Sequence, residues 1–373
     1  MINLTRRASL YFNKTNTRIK TLVNDMMVPA ILMPTVYAPR LKSVTKSRGN
    51  RTKPLFLVLR YKYCDGNPDY GISNEEHAVS SPLRSSQVAD IIEYYFDTDI
   101  TGVILKSNYL IDLIAKSKPD LLILSSYNPN NYVMPHPSVL RGIKKFCNIP
   151  IATIWHDSTS PNARTQCQLM MDYTDLHILL DSGHLQNTFK EHNNFIRLWA
   201  PLDFETFYPS KEYKDIDISF LGSVESYRSY REPLLESLSK ANLSVHRGGG
   251  QRESLMPIED YAETMRRSKI SLNFSSSVGE SNQLKVRVLE TMFSGSMLME
   301  TNNPETCQYF TPMVDYVPFN DAEDLIEKSR YYLSNEKERV SIAMNGYKKA
   351  TETYSHIQFW DIVMSKLSDL SLI

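Results

Sequence analysis

At 373 residues the chain is long enough for two α/β domains, each with its own core. Its 42 Lys and Arg balance 42 Asp and Glu, so no net field draws it to nucleic acid or to a membrane. Four scattered cysteines (Cys64, Cys147, Cys167, Cys307) form no C-x-x-C pair, which argues against a zinc site or a disulfide framework, and no apolar run reaches the roughly 18 to 20 residues that span a bilayer.

The charge is unevenly placed. Residues 1–53 carry eleven Lys and Arg against the single acid Asp25, roughly +10, and the rest of the chain offsets it. They read as a basic N-terminal extension, either loosely packed on the first domain or forming an amphipathic helix for anionic lipid. In that helix Arg6, Arg7, Lys14, Arg18 and Lys20 interleave with Leu10, Tyr11, Phe12 and Ile19. An Arg-rich, acid-poor start also fits an organelle transit peptide. The apolar stretch Met26 to Val36 is short and broken by Pro29 and Pro34, and no secretory apolar segment stands near the start. The expectation is a cytoplasmic protein, with peripheral membrane contact through the basic arm.

Leu55 to Leu59 (LFLVL) is a buried-strand pattern and opens the first domain, residues 54–210. The polar loop from Tyr61 to Ser86 is too long for a simple connection, so it is expected to line a cleft. A helix from about Ser85 to Phe96, a strand near Gly102 to Leu105, a helix near Tyr109 to Ser117 and a strand at Leu121 to Leu124 continue a βαβ rhythm and imply a parallel sheet. Asp97-Thr98-Asp99 is a D-x-D triplet, which reads either as a metal-binding pair or as a solvated turn between elements. Pro150 to Ser158 (PIATIWHDS) is a strand ending in His156 and Asp157, where a parallel sheet presents side chains to a ligand. That His orients a substrate or moves a proton near neutral pH, or else merely caps the next segment. A strand at Asp175 to Leu180 follows, and then the proline-bounded passage Phe195 to Ser210.

The second domain, residues 211–354, opens with a strand at Ile216 to Leu221 followed by Gly222 and Ser223, where the missing Cβ lets the backbone approach a phosphate. Arg228 and Arg231 come next; Arg231 reads as a phosphate ligand or as an exposed helix charge. Three glycines follow the strand near Ser244, with no G-K-[ST] of a P-loop. The helix Pro257 to Arg267 leads into a strand at Ile270 to Phe274 and a polar loop. A helix from Gln283 to Phe293 then carries Lys285, Arg287 and Glu290 at its start. Two cations and a carboxylate there suit a nucleoside diphosphate, the cations and amides on phosphate and the carboxylate on a ribose diol; a solvated charged helix face is the other reading of K-x-R-x-x-E. A strand at Tyr316 to Phe319, a helix Ala322 to Leu333 capped by Asp321, a charged helix Glu336 to Thr353 and an amphipathic tail, residues 355–373, complete the chain.

The run Lys285, Arg287, Glu290, with its small-residue turn Ser294-Gly295-Ser296, resembles the C-terminal domain of GT-B glycosyltransferases, most of all the CgeB-type group. Pro201, Asp203, Phe207 and Pro209 are similar to the P-x-D-x-x-x-F-x-P linker of that superfamily, and the His156-Asp157 strand end is similar to the one whose His contacts the transferred sugar. The resemblance implies two Rossmann-like domains facing across a cleft and a nucleotide diphosphate sugar donor. It also implies transfer to an acceptor hydroxyl of unspecified class, without a protein-bound metal or cofactor and with retention of configuration. It makes Glu290 the ribose ligand, Lys285 and Arg287 the phosphate ligands with Gly222, Ser223 and Arg228 beside them, and His156 and Asp157 the sugar-side pair. It implies that the last helix crosses back to the first domain. One departure stands out: eight positions before Glu290, where many retaining relatives place a second glutamate, this chain has Asn282, and Glu280 is out of register. An inert nucleotide-sugar binder and a nucleotide-sugar epimerase are the rival expectations on the same fold.

Overall fold

A computed structural model of the chain describes residues 23–44, 51–99, 102–211, 213–224, 228–249, 256–276 and 281–373. Among the described residues eleven strands form two sheets. The first holds β1 (Leu55–Arg60), β2 (Asp90–Tyr95), β3 (Leu121–Ser125), β4 (Ile151–Trp155), β5 (Leu176–Leu179) and β6 (Phe195–Arg197) in the order β2-β1-β3-β4-β5-β6. The second holds β7 (Ile216–Leu221), β8 (Val245–Gly248), β9 (Ser268–Asn273), β10 (Met297–Thr301) and β11 (Val317–Phe319) in the order β11-β10-β9-β7-β8. Every strand pair is parallel. Parallel strands need helical crossovers that cover both faces, which is why β1, β3 and β4 read as nearly unbroken apolar runs and are buried along almost their whole length.

Counted within each sheet, the doubly wound orders are 2-1-3-4-5-6 and 2-1-3-4-5, so the direction of winding reverses between β1 and β3 and again between β7 and β9. The loop after β1 forms one wall of the cleft, and the loops after β7 and β8 with the start of the helix after β9 form the other. This is the pair of Rossmann-like domains that the resemblance implies.

Two expected elements differ. Residues 85–96 are not a helix: a short helix, Ser81–Ser86, stops at Gln87, whose φ of 60° is left-handed, and β2 follows. Ile91, Ile92, Tyr94 and Tyr95 are β-branched and aromatic and suit a strand at the sheet edge, but as two apolar pairs three residues apart they mimic a helix. Gly102 to Leu105 is not a strand. Gly102 caps the helix Val103–Ser117, and Val103, Leu110, Ile111 and Ile114 are buried at helical spacing.

The described part of the basic N-terminal segment packs against the first sheet. Val28 and Tyr37, on the helical stretch Val23–Tyr37, and Leu41, on the helix Ala38–Lys42, join one cluster with Leu57 and Leu59. Arg6, Arg7, Lys14, Arg18 and Lys20, on which the lipid-binding helix was expected, lie outside the described residues. Among the described residues no helix is long and apolar enough to cross a membrane.

The helix His356–Asp369 returns to the first domain and lies on the helix Ser81–Ser86. His356 Nε2 is 3.1 Å from Ser85 Oγ, and its Nδ1 is 3.1 Å from the Leu202 carbonyl oxygen. Phe359, Trp360, Val363 and Leu367 are fully buried in a cluster that also takes in Phe56 of β1 and Val288 of the second domain. In the linker, Asp203 Oδ1 accepts from the Glu205 and Thr206 amides at 3.0 and 3.1 Å, and Trp199 Nε1 donates to Ser355 O at 3.3 Å. The crossing between sheets is thereby held from both sides.

Candidate active site

A cavity of about 870 Å³ lies between the strand ends of the two sheets. Gly222, Ser223, Arg228, Arg287 and Glu290 line its second-domain wall, and Arg60, Lys62, Glu76, His77 and Tyr95 line the facing wall. Five of the eight residues singled out from the sequence therefore meet in one cavity. Lys285, His156 and Asp157 do not line it; they stand along the seam beside it.

Arg287 lies in the first turn of the helix Val286–Phe293. Its Nη1 donates to Asn273 Oδ1 at 3.0 Å, and its guanidinium carbon sits 5.5 Å from the Phe220 ring centre. Asn273 is itself oriented from behind: its Nδ2 donates to Glu300 Oε1 at 2.8 Å, so its carbonyl oxygen faces Arg287. Glu300 is wholly buried, and burial pushes its carboxyl up to about 7 despite the amide donors around it.

Gly222 explains how Arg287 reaches the end of β7. A Cβ at this position would lie 2.6 Å from Arg287 Nη2 and 3.1 Å from Phe220 Cζ. The expectation that the Gly222 amide meets a phosphate is corrected here: that N–H donates to Gly248 O at 2.9 Å and extends the β7–β8 ladder. Gly222 contributes space rather than a donor.

Glu290 follows one turn after Arg287 and is 8% exposed. Its Oε2 accepts from the Tyr261 hydroxyl at 2.8 Å. Burial raises its pKa, with Arg287 and the Tyr261 hydroxyl opposing the rise. A carboxylate fixed in this way on the cavity wall can accept from a vicinal diol.

Arg231 is neither an exposed charge nor a cavity ligand. It is buried, with Nη1 donating to Ser223 O at 2.9 Å and Nη2 to Phe274 O at 3.3 Å. Burial lowers its pKa, with Tyr230 opposing and Arg287 and Arg228 adding to the fall. It is a strut for the loop that carries Ser223.

Along the seam, Lys285 occupies the N-cap of the Arg287 helix and donates to Gln283 Oε1. Burial pushes its ammonium down to about 8, Asp157 opposing, and Arg228 and Arg231 push the same way as burial. His156 Nε2 is 2.9 Å from Ser125 Oγ, and burial lowers the imidazole's pKa against the pull of Glu75 and Asp157. Asp157 accepts from Gln283 Nε2. Sequence reading missed Gln283, Tyr261 and Asn273. Tyr261 carried only a helix-core signal, and nothing in the spacing of Gln283 or Asn273 marked them.

The remaining expectations resolve locally. Asp97 accepts from the Lys62 and Tyr63 amides at 2.8 and 2.9 Å, which fastens the long loop at the strand end and makes the D-x-D a loop anchor. Asn282 Oδ1 accepts from Ser275 Oγ at 3.2 Å, while Glu280 lies outside the described residues. Gly249, with φ of 64°, and Met256 bring the loop after β8 to the cavity edge; residues 250–255 between them are outside the described residues.

Residues 216–363 match the family model described as "Glycosyl transferase-like". No curated protein sequence matches the chain. Among solved structures, HepE from Anabaena in complex with UDP-glucose superposes with a TM-score of 0.56 at 12% identity, covering 85% of this chain and 100% of that one. A glycosyltransferase from Rickettsia africae gives 0.54 at 12% identity over 86% and 99% of the two chains. Sucrose-phosphate synthase from Thermosynechococcus elongatus gives 0.55 at 10% identity over 84% and 100%. At such identities the likeness is one of fold: the architecture is GT-B, and its second half carries a glycosyl transferase-like domain.

Proposed function

We propose that the chain transfers a glycosyl group from a nucleoside diphosphate sugar to an acceptor hydroxyl, with retention at the anomeric carbon and without a protein-bound metal. The observation that carries this reading is the crowding of like charge around the cavity. Arg228 and Arg287 line one wall with Glu290 buried beside them, and behind that wall stand Lys285 and Arg231, whose pKa values are lowered first by burial and then by the neighbouring cations. A diphosphate relieves that repulsion, and Glu290 accepts from the ribose diol.

In the reaction the bond between the anomeric carbon and the β-phosphate oxygen breaks. A bond to the acceptor oxygen forms on the same face, and the acceptor's proton passes to the departing phosphate. Arg287, Lys285 and Arg228 stabilise the charge that gathers on the diphosphate. His156, kept neutral at pH 7 by its lowered pKa, contacts the transferred sugar with Asp157 beside it. The K-x-R-x-x-E run and its small-residue turn support a place near the CgeB-type group. The Anabaena HepE structures contain UDP or UDP-glucose, which makes uridine the first base to try.

The test is a melting curve with UDP, GDP, ADP and CDP and their sugars, for wild type and Glu290→Ala. A ligand at a hundredfold excess over Kd adds about 2.7 kcal/mol to stability. A shift with one base, abolished in the variant, supports the reading; no shift with any base refutes it. Loss of turnover with binding retained in His156→Ala separates an enzyme from an inert binder, and product analysis without an acceptor separates transfer from epimerisation. Turnover that collapses in a chelator would refute the metal-free proposal. Exposed Met26, Met27, Ile31 and Val36, next in sequence to the cationic start, favour peripheral contact with anionic membranes as a further property of the same protein.

A further inference from the structure

We infer that Gln283 is a positioning residue that makes the phosphate site depend on the docking of the two domains: it ties the Lys285 ammonium to the first domain, so that this cation is in place only when the cleft is closed. The inference rests on the donor-site reading above and assigns a role to a residue outside the cavity.

Gln283 belongs to the second domain by its main chain. Its amide donates to Ser275 O at 3.1 Å, and its carbonyl accepts from Asn303 Nδ2 at 2.9 Å. Its side chain, in a residue 1% exposed, belongs to the first domain. Nε2 lies within hydrogen-bond reach of Asp157 Oδ1, of Thr159 Oγ1 at 2.6 Å and of Asp181 Oδ2 at 2.9 Å, three oxygens from the loops that follow β4 and β5 that share its two N–H groups. The adjacent Leu284 amide donates to Asp181 O at 2.7 Å, and the Ser158 amide holds Asp181 Oδ2 at 2.8 Å. The other end of the same side chain, Oε1, accepts from Lys285 Nζ.

A primary amide suits this place by its chemistry. It offers two N–H donors to one side and an acceptor to the other, so one planar group serves the first-domain oxygens and the ammonium together. A carboxylate of equal length would put a third negative group against Asp157 and Asp181. An apolar side chain would take one of two donors from the buried Asp181 Oδ2 and leave Lys285 unheld. When the first domain moves away, the amide loses the partners that fix its plane, and the ammonium loses its orientation with it.

The experiment is a double-mutant cycle on the full chain with the nucleoside diphosphate that wild type binds, UDP first. Binding is measured by calorimetry for wild type, Gln283→Met, Lys285→Met and the double variant, with melting temperatures recorded alongside. Lys285→Met weakens binding about tenfold, the loss of one charge-assisted contact. Gln283→Met weakens it by several-fold, and the double variant is no weaker than Lys285→Met alone, because the second change acts through the first. Full additivity, or unchanged affinity in a folded Gln283→Met, overturns the inference while leaving the donor site intact.

If wild type binds no nucleoside diphosphate, the donor-site reading fails, and a second arm still tests the clamp. The groups facing position 283 are Asp157, Asp181 and Lys285, with Arg228 and Arg231 near the lysine. Burial pushes the Asp181 carboxyl up to about 6. Gln283→Glu should therefore open the seam at pH 8, seen as a larger radius in small-angle scattering, and reclose it below pH 6, where the Asp181 carboxyl takes up a proton. A radius equal to wild type at both pH values overturns the clamp itself.

Discussion

Replacing Gly222 with alanine should separate what this glycine does from what glycines at strand ends are usually credited with. The added Cβ falls 2.6 Å from Arg287 Nη2 and 3.1 Å from Phe220 Cζ, so one of the two must give way. The guanidinium is the tip of a long side chain and swings aside at little cost; the aromatic ring yields only a few tenths of an ångström. Gly222 has no left-handed backbone to protect, so alanine also narrows the unfolded ensemble by about 0.4–1 kcal/mol, which offsets the crowding. The net change in stability should stay within about 1 kcal/mol of zero. Binding should fall much further. A guanidinium moved off its phosphate forfeits a charge-assisted contact of about 1.5–3 kcal/mol, or roughly tenfold to a hundredfold in Kd. Urea denaturation read with calorimetric titration of UDP measures both quantities on one preparation. In an Arg287→Ala background the same substitution should do almost nothing more, since its effect runs through that side chain. Wild-type affinity in Gly222→Ala, or a full second loss on top of Arg287→Ala, would refute the reasoning.

Three further predictions follow from the same geometry. Because the Lys285 ammonium titrates at about 8 in the free protein, and a bound diphosphate favours its charged form, nucleotide affinity should fall as pH rises above 8. Titrations from pH 7 to 9.5 should show that fall flattened in Lys285→Arg. The Asp181 carboxyl, raised to about 6 from 3.8, binds a proton in the folded state that the unfolded chain has already released between those values. Stability from this group is therefore lost as pH climbs from about 4 to 6, and Asp181→Asn, which keeps an acceptor for Gln283, should gain about 1–2 kcal/mol over wild type at pH 7.5 but not at pH 4, by urea midpoints at the two pH values. Trp360→Ala removes a fully buried ring from the helix that returns to the first domain, and should cost about 3–5 kcal/mol by the same method.

How far the sequence foretold this arrangement depends on how local each signal was. Strands buried on both faces announce themselves, and LFLVL, LLILS and IATIW were legible for that reason. The edge strand β2 was not: Glu93 breaks its apolar run because it serves Arg60 at 2.7 Å, and the apolar pairs on either side then fall at helical spacing. Lys285, Arg287 and Glu290 could be read because a helix start gathers neighbours in sequence. Gln283 could not, since Asp157 and Asp181 stand 126 and 102 positions away.

The two arginines show the limit most plainly. Arg231 and Arg287 both open a helix that follows a strand; the K-x-R-x-x-E run marks Arg287, but nothing in the sequence says that Arg231 is buried. The difference lies in what each guanidinium reaches. Arg231 finds the carbonyls of Ser223 and Phe274 and is sealed between them as a strut. Arg287 has Nη1 on Asn273 and lies over Phe220, and the residue lines the cavity. A guanidinium whose donors end on carbonyls holds a backbone in place; one that keeps donors toward an open cavity can hold an anion. That distinction rests on Gly222, whose missing Cβ leaves the second arginine the room that a side chain there would fill.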